Sequence, residues 1–244
     1  MTRSLFDVLR QVRYAFFPRR CAACGEVVGP REEMCPRCLQ TVHRVPQPIC
    51  YDCGCGKRDC RCEKRHSVFV AAFASPFYYT GSVNRAIRRM KFSETPENAE
   101  VFGREMAAFA KEVYEGVTID LVTFVPMTRR EKRSRGYNQS ELLARHTARE
   151  LLLPMEPTLE KLYETRSQRT LSQRRRSGNV LGVFEVTDPA SVRGKRILLC
   201  DDLRTTGATL IECAKMLRIR GAREVICLTA AVGFPKPDID KNKK

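Results

Sequence analysis

Histidine is scarce in this chain: among 244 residues only His43, His66 and His146 occur. No Ser-His-Asp or Cys-His arrangement is in view, so catalysis by a histidine-activated nucleophile has little to build on. Long apolar runs are also missing, and none approaches the roughly 20 residues that a bilayer crossing needs. The opening stretch MTRSLFDVLRQVRYAFF is interrupted by Asp7, Arg10 and Arg13, which argues against a secretory signal and leaves a cytoplasmic location as the expectation. Low-complexity segments are absent. Acidic residues are in short supply, 28 against 44 Lys and Arg, for a net charge of +16. Such an imbalance suits a phosphate-bearing partner: nucleic acid, a phosphorylated small molecule or an anionic membrane face. Solubility alone is the plainer reading, but the basic residues cluster instead of scattering.

Cysteine is nearly confined to one place. Nine of the 12 cysteines lie between Cys21 and Cys62, whereas Cys200, Cys213 and Cys227 sit in apolar surroundings and read as small buried side chains. Thiols this dense in a protein expected in a reducing compartment point to metal, not to disulfides. Cys21-x2-Cys24 and Cys35-x2-Cys38, ten residues apart, have the spacing of a tetrahedral four-thiolate zinc site. With all four positions filled by sulfur, such an ion is structural. A second set, Cys50, Cys53, Cys60 and Cys62, could hold another zinc, with Cys55 spare or a substitute ligand.

The chain divides by texture. Residues 1–20 place Leu5, Leu9, Val12 and Phe16 on one face of a short amphipathic helix. Residues 21–65 form the cysteine-rich module, too poor in apolar side chains to be stable without a staple. Residues 66–235 alternate strand and helix patterns, which indicates an α/β domain with a mostly parallel sheet and crossover helices. Residues 236–244 are a polar tail.

Within that domain, RILLCDDLRTTGATLIECAKM carries the most information. Apolar residues run into Asp201 and Asp202, then Thr205, Thr206, Gly207, Ala208 and Thr209 turn into a helix. Ligands of parallel sheets bind outside the carboxyl ends of the strands. Gly207 permits a close backbone approach, and the amides at the start of the helix can hold a phosphate. Paired carboxylates beside a phosphate cradle fit a sugar phosphate, whose vicinal hydroxyls donate to the acids. No Gly-Lys-Ser/Thr loop or three-glycine fingerprint is present in the stretch. It closely resembles the motif with which type I phosphoribosyltransferases bind phosphoribosyl pyrophosphate (PRPP).

Further segments carry a wider resemblance. RGYNQSELLA, SQRTLSQRRRSGNVLGVF, CDDLRTTGAT and the Lys-Phe pair of IRRMKF, behind the CxxC module, look like the competence protein F (ComF) family of phosphoribosyltransferase-like proteins. The resemblance implies a type I phosphoribosyltransferase fold with a small N-terminal zinc module. It also implies Mg²⁺ as a cofactor beside structural Zn²⁺. Asp201 and Asp202 become the catalytic candidates and residues 205–209 the phosphate loop. Lys91, Arg129, Arg130, Arg135, Asn138, Gln139, Gln168, Arg176 and Asn179 become candidates for a pyrophosphate-facing loop or for a mobile loop that closes over PRPP. Arg204 departs from the pattern, standing where related loops carry an apolar or aromatic residue; its side chain could point to solvent.

Two functions follow as expectations. One is Mg²⁺-dependent phosphoribosyl transfer from PRPP, in a protein linked to DNA uptake in natural transformation. The other is a non-catalytic PRPP sensor that binds single-stranded DNA and contacts other competence proteins. Tyr137, Tyr163 and Phe92 are conceivable base-stacking platforms, although core packing is the reading favoured for each. For the cysteine module, metal analysis of the purified chain should return at least one zinc per molecule. Less than one would reject even the site at Cys21, Cys24, Cys35 and Cys38.

Overall fold

The structure is a computed structural model that describes residues 18–63, 67–92, 95–163 and 182–234. Apart from Pro18, Arg19 and Arg20, the helix expected over residues 1–20 lies outside the described residues. So do Gln168, Arg176, Asn179 and the tail.

In chain order the elements are α1 (Pro36–Leu39), β1 (Ala72–Ala74), β2 (Phe77–Tyr78), α2 (Gly81–Phe92), α3 (Asn98–Val113), β3 (Leu121–Phe124), α4 (Arg129–Arg135), α5 (Gln139–Leu151), β4 (Leu159–Lys161), β5 (Phe184–Val186), α6 (Pro189–Val192), β6 (Arg196–Arg204), α7 (Ala208–Ile219) and β7 (Glu224–Val232). The main sheet runs β1-β7-β6-β3, with every pairing parallel. β2 continues the course of β1 along β7 after a break at Pro76, which has no N–H to give to a ladder. The central strands read as near-continuous apolar runs because both of their faces are covered.

Alternation along β6 sorts the two layers. Leu198 and Cys200 pack with the helical layer of α2, α3 and α5, whereas Ile197 and Leu199 pack with Leu210, Cys213, Ala214 and Leu217 of α7 and with β4 and β5. β4 and β5 form an antiparallel pair off the main sheet. β6 extends past Cys200 through both aspartates to Arg204, four residues beyond the apolar stretch. Among the described residues, no helix is long and apolar enough to cross a membrane.

One segment differs from the reading as a loop. The basic stretch after β3 is the helix α4, because Thr128 and Glu131 form a reciprocal cap: Glu131 N–H donates to Thr128 Oγ1 at 3.1 Å and Thr128 N–H to Glu131 Oε2 at 2.8 Å. Gly136, at φ 82°, ends the helix.

The cysteine-rich segment merges into the main core. Cys21, Ala22, Cys38, Val45, Ile49 and Cys53 are buried in the same cluster as Phe77, Ile87 and Phe102. It also covers the sheet edge. Tyr78 N–H donates to the His43 carbonyl at 2.9 Å, Val45 N–H to the Pro76 carbonyl at 2.9 Å, and Phe73 N–H to the Tyr51 carbonyl at 2.7 Å. An edge that would otherwise present open backbone groups is thereby paired. The Tyr78 hydroxyl donates to Asp59 at 2.5 Å and accepts from Gly56 N–H at 3.1 Å, and Asn98 reaches the Ala22 carbonyl at 3.0 Å.

Candidate functional site

At the carboxyl end of β6 the two acids point to different partners. Asp202, on the α2 side, lies 2.9 Å from Lys91 Nζ, with a side chain only 10% exposed. Lys91 stands in the last turn of α2, where the Tyr137 hydroxyl holds the Met90 carbonyl. Burial by itself would lower the lysine pKa; the charges of Asp202 and then Asp201 outweigh it and raise the pKa. Asp201 accepts from the Ser140 hydroxyl at 2.7 Å and from the Asp202 N–H at 2.9 Å. Burial first, and then the neighbouring Asp202 charge, push its carboxyl up to about 7, against the opposing pull of Ser140 and Lys91. The pair therefore has one member fixed against a cation and one that titrates near neutrality.

The turn behind them is open. Thr205, Thr206, Ala208 and Thr209 are exposed, and Gly207 is buried at φ 81° as the N-cap of α7. A positive φ of this size is cheap only for glycine. Ala208 N–H donates to Thr206 Oγ1 at 3.3 Å, and Ile211 N–H makes the first helical bond, to the Gly207 carbonyl. The amides ahead of Ile211 stand outside the helical ladder, the usual condition for gripping an anion.

Arg204 does not point to solvent. It is 5% exposed, its guanidinium lies 4.6 Å from the Phe73 ring centroid, and its Nε has no hydrogen-bond partner. Phe73 stands on β1, across β7, in the α7-side cluster, whereas Leu203 packs with the helical layer, so the alternation of Ile197–Cys200 does not carry through to the end of β6 and Arg204 crosses to the α7 side.

The other candidates divide into those brought to the acids and those used by the fold. Asn138 caps α5, its Oδ1 accepting from Ser140 N–H at 2.9 Å and its Nδ2 donating to the Val125 carbonyl at 3.0 Å. It therefore sets the position of Ser140. Gln139, 1% exposed, accepts from Arg135 at 2.8 Å, while its Nε2 has no partner. Arg135 also lies 5.7 Å from the Phe92 ring. Arg129 and Arg130 are exposed at the start of α4. Phe92 and Tyr163 are not core residues but 70% and 65% exposed, because α2 makes its last inward contact at Met90 and Tyr163 lies beyond the end of β4. Tyr137 is half-buried. Ser140 is the functional neighbour that sequence reading missed as a partner of Asp201. Nothing local marks it, since the contact exists only once α5 packs against β6.

The cysteines form two four-sulfur sets, Cys21, Cys24, Cys35 and Cys38, and Cys50, Cys53, Cys60 and Cys62, each with its sulfurs within 4.8 Å of one another. Cys24 and Cys35 Sγ are 3.8 Å apart. A tetrahedral zinc with Zn–S bonds of about 2.3 Å has sulfur–sulfur edges of about 3.8 Å, so the first set matches zinc in donor type and spacing. Burial would raise the Cys21 thiol, but the backbone groups of Cys24, Cys35 and Ala23 hold it down at about 6. Cys24, by contrast, is pushed up to about 12, by burial most of all, so Cys21 is the sulfur of the set readiest to lose its proton. Both sets could bind zinc. Cys55 belongs to neither, although it is 3% exposed and contacts Cys53.

Comparison with known proteins agrees with this geometry. A phosphoribosyl transferase domain model matches residues 138–243. Competence protein ComFC of Bacillus subtilis is 28% identical over 206 residues, covering 80% of this chain and 82% of that protein. DNA utilization protein YhgH of Escherichia coli K12 is 28% identical over 216 residues, covering 84% and 86%. Competence protein F of Haemophilus influenzae is 26% identical over 232 residues, covering 86% and 95%. A parallel sheet ending in paired acids and a glycine turn, a matching domain model and relatives aligned along most of their length converge on one assignment: the chain is a homologue of the competence protein F and YhgH proteins, built on a type I phosphoribosyltransferase fold.

Proposed function

We propose that the end of β6 and residues 205–209 bind PRPP together with Mg²⁺, and that the chain transfers the phosphoribosyl group to an acceptor with loss of pyrophosphate. The observation that carries this reading is the juxtaposition of Asp201 and Asp202, held by Ser140 and Lys91, with the open glycine turn. In it the acids accept from the ribose hydroxyls, replacing Ser140 and Lys91 as partners, and the amides and threonine hydroxyls of residues 205–209 hold the 5′-phosphate. The C1–oxygen bond to pyrophosphate breaks as the acceptor's lone pair forms the new bond at C1. Mg²⁺, when bound, neutralises the pyrophosphate and takes oxygen ligands, a donor type that Asp201 and Asp202 supply. Arg135, with Arg129 and Arg130 on α4, faces the leaving group. Electrostatics and positioning then carry the rate, with no protein nucleophile.

A second reading, single-stranded DNA binding, is favoured by the exposed Arg129, Lys132 and Arg133 on α4, by Arg135 at 5.7 Å from the exposed Phe92 ring, and by the exposed ring of Tyr163. The relatives' names, which mention DNA utilization and competence, point the same way. Affinity for a single-stranded oligonucleotide should then fall steeply with salt through counterion release. A salt-insensitive affinity would count against α4 as the contact surface.

Calorimetry with PRPP and Mg²⁺ tests the first reading. Asp202→Asn and Thr206→Ala should each weaken binding roughly tenfold or more, as expected for losing a hydrogen bond to a charged group. Unchanged affinity in both would remove these residues from the site.

The titration of Asp201 gives an independent test. Its folded-state pKa, about 7, lies above the unfolded value of 3.8, so the folded chain retains the proton longer. The stability this contributes is complete below the unfolded pKa and is lost as pH rises through the folded one. Urea midpoints measured at about pH 5 and about pH 8 should therefore drop more for the wild type than for Asp201→Asn. An equal drop in the two proteins would show that Asp201 is not so perturbed.

A further inference from the structure

Arg204 is a buried cation without a matching acid. It is 5% exposed, no carboxylate among the described residues lies within ion-pair distance, and its Nε has no hydrogen-bond partner. A guanidinium out of water needs counter-charge, and the face of Phe73 supplies only part of it. The position matters as much as the charge. A Cβ placed on Gly207 would stand 3.2 Å from Arg204 Nε, so the side chain packs directly beneath the turn.

Cys55, which touches the second cysteine set through Cys53, is the group that reaches toward Arg204, and it lies within electrostatic reach of the guanidinium. Its Sγ lies 4.0 Å from the Gly233 carbonyl, and Gly233 N–H donates to the Arg204 carbonyl at 2.8 Å. The same knuckle is seated on β1: Phe73 N–H bonds the Tyr51 carbonyl at 2.7 Å, and a Cβ on Gly54 would meet Phe73 and Ala74 backbone atoms at 3.5 Å. Four thiolates around one divalent ion carry a net double negative charge.

We propose that Arg204 is a positioning residue that couples the metal site of Cys50, Cys53, Cys60 and Cys62 to the turn at residues 205–209, with Cys55 as the contact between them. The anionic metal–thiolate centre is the counter-charge that keeps Arg204 inward. Arg204 in turn supports Gly207. Loss of that metal leaves the guanidinium uncompensated, and the turn loses its floor. Coupling of this kind is reciprocal: a ligand on the turn must tighten metal retention as metal tightens the ligand.

Zinc release into a chromogenic chelator can be followed in wild type, Arg204→Gln and Arg204→Lys, with and without ribose 5-phosphate. Arg204→Gln should release one of its two zinc ions about tenfold faster than wild type, with the other unchanged, and Arg204→Lys should stay near the wild type. In the wild type, saturating ribose 5-phosphate should slow release of that same ion, an arm that needs no variant to fold. Identical release from all three proteins, with no effect of ribose 5-phosphate on the wild type, would overturn the inference. The ligand arm rests on the phosphate-loop reading proposed above; the comparison of release rates does not. If ribose 5-phosphate failed to bind, that reading would fall while the release rates still decided the role of Arg204.

Discussion

Two adjacent carboxylates at the end of a buried strand repel each other, and the rest of the site is organised around that repulsion. In water the cost would be small; between packed layers burial first, and then the Asp202 charge, move Asp201 to about 7. The fold answers with one cation and one hydroxyl from separate elements: Lys91 from the end of α2 and Ser140 from the start of α5. Both positions are themselves secured, by the bond from the Tyr137 hydroxyl to Met90 and by Asn138 as the cap of α5. An arrangement maintained by Lys91 and Ser140, with Tyr137 and Asn138 behind them, is expensive to keep unless the acids have a task.

The cysteine module belongs to the same design. Its apolar side chains enter the main core and its backbone closes the β1–β2 edge, so the two four-cysteine sets that could bind zinc sit directly against the sheet. The second knuckle reaches further, to the ends of β6 and β7 where the turn begins.

Much of this was legible in the sequence, for identifiable reasons. RILLCDD and EVICLTAAV announce central parallel strands because both of their faces are buried, and the glycine turn is visible because only glycine accepts φ 81° there. Both four-cysteine sets could be read from spacing, including the irregular Cys60 and Cys62 pair. The inward turn of Arg204 was not legible, since it depends on a shift in the alternation at the end of β6 that no local residue marks. Nor was the Ser140–Asp201 bond, which joins positions 61 residues apart through tertiary packing alone. The short helix α4 was missed because its dense positive charge masks the Thr128–Glu131 cap that starts it.

The central claim is that twin acids and the adjoining turn grip one sugar phosphate. Amide chemical shifts recorded during titration with PRPP and Mg²⁺ test it most directly. The account predicts saturable shifts concentrated on the amides of Thr206, Gly207 and Thr209 and on Asp202, with Lys91 responding as its partner changes. Shifts confined to the exposed arginines of α4, with those amides unmoved, would contradict it.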